Sequence, residues 1–274
     1  MNENRYETEK QLAKRPNRRA IIAILGGTVA ALGTGALLFR GFGMNRESPI
    51  LRFARDFSGN DAALMEKMQA FENNPPTKIE DIGFYSAEDY PVNTRLFYAA
   101  VNLLDNAGHI QSAEDKYMNE LIAKWRDQGL IEIDRLPPKA RQLFGTLLDP
   151  AYFGEKENSP RIAAFRKFAW DNYAKATEQL EAHINARGKI LLSIDATDGD
   201  TVFFALIEPA LAERWRDKAL SEQDGYRGGV RAPMWDRVWQ HMTYTYYPDL
   251  LAAQGSTGTP PGTRLRRDDI PFAE

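Results

Sequence analysis

Residues 20–39, AIIAILGGTVAALGTGALLF, run for twenty positions without a charge, the longest such stretch in the chain. At ~1.5 Å per residue a helix of this length reaches roughly 30 Å, the thickness of a bilayer's hydrocarbon core, and its internal hydrogen bonds satisfy every backbone group. The run therefore reads as one transmembrane helix. Six basic residues precede it (Arg5, Lys10, Lys14, Arg15, Arg18, Arg19) and four follow closely (Arg40, Arg46, Arg52, Arg55). This excess predicts an N-terminus inside, an inner-membrane location and a periplasmic, outward-facing bulk.

Two other readings share the same residues. A cleaved signal peptide needs a small-x-small site, and Gly41-Phe42-Gly43 offers a poor one behind the charge of Arg40. A twin-arginine export signal rests on Arg18-Arg19 ahead of a weakly apolar segment. Within the run, Gly27, Ala31 and Gly35 recur every four positions and form a smooth stripe for transmembrane packing, which allows a homodimer through this helix.

Composition excludes several functions. The chain has no cysteine, so disulfides, thiolate metal sites and a cysteine nucleophile are absent together. Removing the first nineteen residues, six basic and three acidic, from totals of 35 and 38 leaves 29 basic against 35 acidic. An acidic chain without a basic, aromatic-interleaved patch does not suit nucleic acid, whose binding requires a dense cationic field.

After the apolar run, Pro49–Phe57 and Asp61–Phe71 carry apolar residues at helical intervals, with Asn60 placed as an N-cap, and Asn73-Asn74-Pro75-Pro76 stops the second. Residues 40–78 read as a helical stalk and linker. Residues 79–253 read as a mainly helical domain. Positions 91–129 form a helical hairpin turning at Asp105–Gly108, with Ser112–Asp115 as a capping start. Ser159-Pro160 opens a long helix to Arg187, striped by Phe165, Ala169, Tyr173, Ala176, Leu180 and Ile184.

The period then changes. Ile190–Ile194 and Val202–Ile207 are β-type runs around Thr197-Asp198-Gly199-Asp200, giving one hairpin within 190–207. Pro209 begins a helix through Leu220, a Gly-rich loop follows, and Pro233 begins a last helix to about Tyr246. Residues 254–274, rich in Gly, Ser, Thr, Pro and charge, read as a flexible tail. The expected fold is mainly α, with one N-terminal transmembrane helix and one β-hairpin.

Candidate sites are few. The last helix gathers Trp235, Arg237, Trp239, Tyr244, Tyr246 and Tyr247, the residue types that dominate protein interfaces, although core packing explains the same residues. Arg227 and Arg231 flank glycines before a helix start, where guanidinium and backbone N–H groups could meet an anion. Asp195, Asp198 and Asp200 lack the full calcium-loop pattern and fit a turn better. His109, His183 and His241 are far apart in sequence, and no nucleophile elbow or metal motif accompanies them.

No metal or cofactor is expected, and catalysis is less favoured than binding. The sequence thus describes a single-pass membrane-anchored, outward-facing protein-binding or assembly subunit, of adaptor or immunity type. The alternatives are an anchoring subunit of a twin-arginine-exported enzyme and an anion- or small-ligand-binding domain.

Overall fold

The runs Ile190–Asp195 and Thr201–Ile207 have apolar side chains on both faces, so a sheet containing them needs cover above and below. The computed structural model, which describes residues 47–82, 89–114, 118–149, 159–196, 201–245 and 258–274, supplies that cover. In order come α1 (Pro49–Ser58), α2 (Ala62–Asn73), α3 (Ile79–Ile82), α4 (Val92–Asn106), β1 (Gln111–Glu114) and α5 (Met118–Asp127). They are followed by α6 (Pro138–Leu147), α7 (Pro160–Asn185), β2 (Ile190–Asp195), β3 (Thr201–Ile207) and α8 (Pro209–Trp215). The chain continues with β4 (Lys218–Gln223), β5 (Tyr226–Arg231) and α9 (Trp235–Thr245).

The strands form one antiparallel sheet in the order β1-β3-β2-β5-β4. Alternate residues of β3 enter different cores. Phe203, Ala205 and Ile207 join α1, α2, α4 and α8 on one face, while Val202 and Phe204 join α5, α6, α7 and α9 on the other. The period-2 geometry of a strand makes this a three-layer α/β/α arrangement.

The fold expectation is corrected accordingly, to a mixed α/β architecture. The β2–β3 pair is the centre of a five-stranded sheet and not the sole β element. Leu220 belongs to β4, because α8 stops at Trp215 and Asp217 turns the chain at φ 58°. The supposed Gly-rich loop is strand β5. Its turn, Asp224-Gly225, has φ 53° and 80°, the paired positive values of a tight hairpin turn. Gly229 is required by close approach: a Cβ there would lie 2.1 Å from the Lys218 carbonyl oxygen, beside the register shift between Ala219 and Ser221.

The membrane reading is corrected as well. Among the described residues no helix is long and apolar enough to cross a membrane. The longest, α7, carries its apolar stripe on one face and charges such as Arg166, Lys167 and Asp171 elsewhere, so it packs against the sheet. Residues 20–39, with Gly27, Ala31 and Gly35, lie outside the described residues. The single-pass anchor, the transmembrane homodimer and the inner-membrane, periplasmic placement built on that span are therefore not supported.

Residues 47–274 constitute one unit. The helices expected to form a stalk are part of its core: Phe53, Ala54 and Met68 are fully buried. Ser48 caps α1 by accepting from the Leu51 N–H, and Asp61 rather than Asn60 caps α2, accepting from Ala63 and Leu64. The C-terminal segment, expected to be a mobile tail, is docked over 258–274. Ile270 is fully buried, Phe272 bridges Ala219 in parallel, and Ala219 exchanges hydrogen bonds with Pro271 and Ala273 at 2.7 and 2.9 Å. Residues 246–257 lie outside the described residues.

Two glycine substitutions test this packing. Gly229→Ala should lower unfolding free energy by ~3 kcal/mol, because backbone must move to admit the methyl. Gly145→Ala, inside α6 with its nearest neighbour at an ordinary 3.6 Å, should raise it by about 0.5–1 kcal/mol through helix propensity. Urea unfolding of both variants against the parent measures the contrast.

Candidate functional site: an arginine pocket around a buried carboxylate

Asp195 ends β2 at the sheet's centre, on the face covered by α7 and α9, and it is fully buried. A carboxylate out of water is strongly unfavourable unless charge and hydrogen bonds compensate it. Here three arginines do so. Arg231, at the end of β5, approaches with Nε 2.6 Å from Oδ2, a close ion pair lacking hydrogen-bond alignment. Arg237 of α9 donates from Nη1 to Oδ1 at 2.9 Å, and Arg266 of the C-terminal segment brings Nε to 3.7 Å from Oδ2. The Tyr226 hydroxyl also donates to Oδ1.

The arginines are themselves held in place. Arg231 donates to the carbonyls of Arg227 and Arg267. Arg266 stacks over the Tyr226 ring at 4.1 Å, and its backbone N–H reaches the Asp236 carboxylate at 3.1 Å. Burial, then the Asp195 charge, pushes the Tyr226 hydroxyl far above the usual phenol range. For Arg266, burial opposes the charged form, but the charge of Asp195 outweighs it together with the other partners and raises the affinity for the proton.

Next to this cluster lies a cavity of about 470 Å³, bounded by the C-terminal half of α7, the α8–β4 turn, the end of β5 and residues 264–267. Among the described residues, five arginines line it (Arg216, Arg231, Arg264, Arg266, Arg267) against two acids, Glu181 and Asp217. The chain as a whole carries −3, so this excess is local. The Arg216 guanidinium has no hydrogen bond or ion pair among the described residues. Arg264 meets Glu181 at 3.5 Å, and Arg267 pairs with the exposed Asp269 at 3.3 Å. An exposed pair such as Arg267–Asp269 contributes about 0–1 kcal/mol, so a stronger anion can displace it. Leu265, 65% exposed, sits among these charges.

No known protein family, curated protein or solved structure matches the chain.

The sequence candidates fall in different places. Arg231 lines the cavity, but Arg227 does not. Arg227 donates to Glu222 at 3.1 Å and to the Ile270 carbonyl at 2.9 Å, and stacks on Phe272, thereby holding the C-terminal segment. Trp235 and Trp239 are buried. Trp235 donates to Glu181 at 2.6 Å, and Trp239 packs on Tyr173 and Trp170. Arg237 serves Asp195. The side chain of Tyr244, and all of Tyr246 and Tyr247, lie outside the described residues.

Asp198 and Asp200 also lie outside, and among the described residues no group of acids and histidines could hold a metal. His109 sits 3.4 Å from Asp61. The sequence reading missed Arg216, Arg264, Arg266 and Arg267. The last three belong to a basic run followed by Ile270-Pro271-Phe272, whose apolar residues were the available signal for docking.

Removing the Asp195 charge strands its arginines, so Asp195→Asn should destabilise by ~3–5 kcal/mol in urea unfolding. The pH response follows from Tyr226. Its folded-state pKa is raised, so unfolding releases a proton once pH passes the ordinary phenol value of about 10. That part of the stability is complete below this pH and declines above it. Tyr173, raised by burial and by Asp236, contributes with the same sign. Tyr226→Phe should therefore lose stability less steeply than the parent between about pH 9 and 11, read from urea midpoints.

Proposed function

We propose that this domain is a protein-interaction module that captures an acidic segment of a partner in the arginine-lined cavity. The observation that carries the proposal is the local surplus of guanidinium groups in a ~470 Å³ cavity on an otherwise acidic chain, with Arg216 unpartnered among the described residues. The buried Asp195 supports the reading from behind, because it holds Arg266, and through Arg231 the Arg267 carbonyl, before any ligand arrives. Preorganised donors lose less conformational entropy on binding.

The lining favours peptide carboxylates over nucleotides. None of its described residues is aromatic, so these offer no platform for base stacking, while Leu265 and Met234 offer apolar surface to a neighbouring side chain. Arginine forks match carboxylates bidentately. Arg227 belongs to this reading indirectly, as a support for the wall that carries Arg264–Arg267.

A fluorescein-labelled hexaglutamate peptide titrated into the protein, followed by anisotropy, tests the proposal. Saturable binding is expected that weakens with salt, is at least about tenfold weaker in Arg216→Glu, and is absent for a hexalysine control. Failure to bind, or equal affinity in Arg216→Glu, would reject the site.

A further inference from the structure

The cavity has two walls of different origin. Arg216 and Arg231 come from the α8–β4 turn and the end of β5, whereas Arg264, Leu265, Arg266 and Arg267 come from the C-terminal segment that returns across the sheet. Two kinds of contact hold that segment. Around 270–273 the attachment is mainly apolar packing and backbone pairing: buried Ile270, the Ala219 hydrogen bonds, and the Ile270 carbonyl accepting from Arg227.

Around 264–267 the attachment is polar: the Arg267 carbonyl accepts from Arg231, Arg266 lies over the Tyr226 ring, and the rest is electrostatic. Docking brings three guanidinium groups alongside Arg216 and Arg231. Two of the three have their closest acids, Asp268 and Asp269, on the same segment, where these cannot tie it to the sheet layer. Acids reaching across include Glu181, 3.5 Å from Arg264, Asp195, 3.7 Å from Arg266 Nε, Asp236, which accepts the Arg266 N–H, and Asp217, whose charge favours the Arg267 cation. Like charges facing one another across a cavity repel, and an anion between them attracts both walls.

We infer that the C-terminal segment is a clamp whose closure is linked to occupancy: an acidic peptide holds residues 263–267 down, and a docked segment raises affinity for the peptide. This rests on the anion-binding reading of the cavity. Linkage requires the two effects to be reciprocal, because each is the same coupling free energy seen from one end. It also makes the site half-built when the segment lifts, since three of its five arginines leave together.

Hydrogen exchange of the whole chain, with and without the hexaglutamate peptide, tests the clamp. At a peptide concentration about nine times its Kd, exchange of the Arg266 amide should slow about tenfold, with α6 amides unchanged. This amide donates to Asp236 of α9 when the segment is docked. Loosening the attachment with Ile270→Ala, or with Phe272→Ala if the first unfolds by circular dichroism, should weaken the peptide severalfold.

The outcomes separate. Salt-sensitive, Arg216-dependent binding without slowed exchange, or with unchanged affinity in the loosened variant, overturns the clamp and leaves the binding site standing. No binding at all overturns both.

Discussion

One carboxylate without access to water organises half of this protein. Asp195 sits at the end of β2, and its compensation draws in β5 through Arg231 and Tyr226, α9 through Arg237, and the C-terminal segment through Arg266. Four pieces of chain separated in sequence are thus required to meet at one point. Apolar burial is non-directional and would allow many arrangements of these pieces. A buried charge admits few, because each misplacement leaves a charge or donor unpaired. The surplus cations around it then set the electrostatics of the neighbouring cavity.

Much of the fold was legible where residues carry local rules. The stripe Phe165–Ile184 is buried throughout, and Ser159 caps its helix by accepting from Ile162. The β2 and β3 runs announce themselves through β-branched and aromatic residues. β1 and β4 do not: QSAE and KALSEQ are short, polar and at or near the sheet edges, where propensity says little. β5 was hidden by its glycines, which signal flexibility in sequence and close strand approach in space. The Asp224-Gly225 dipeptide between β4 and β5 was a readable hairpin mark, equal to the one at Asp198-Gly199.

The site was less legible for a different reason. Arg231 could be named from its glycine neighbours, but its role depends on Asp195, thirty-six positions earlier, and on Arg266, thirty-five later. Neither distance leaves a spacing rule. Aromatic density in α9 pointed to an interface, while the indoles of Trp235 and Trp239 are used to seal the helix against α7 and the sheet. Residue type alone does not tell a core aromatic from an interfacial one.

The strand order carries a kinetic meaning. β1 pairs with β3, so Gln111 must find Phe204 across ninety-three positions, and β4 is completed by residues near 272. Arg52 in α1 donates to the Glu274 carbonyl, joining partners 222 positions apart. During synthesis the Asp195 carboxylate is made 42 positions before Arg237 and 71 before Arg266. The nascent chain therefore holds an unpaired charge at the centre of its future sheet, which favours keeping that face hydrated and open. Assembly of the layer beneath α9 becomes a late event, and a chain interrupted before Arg266 leaves the ribosome without the last of the cations this interior was built around.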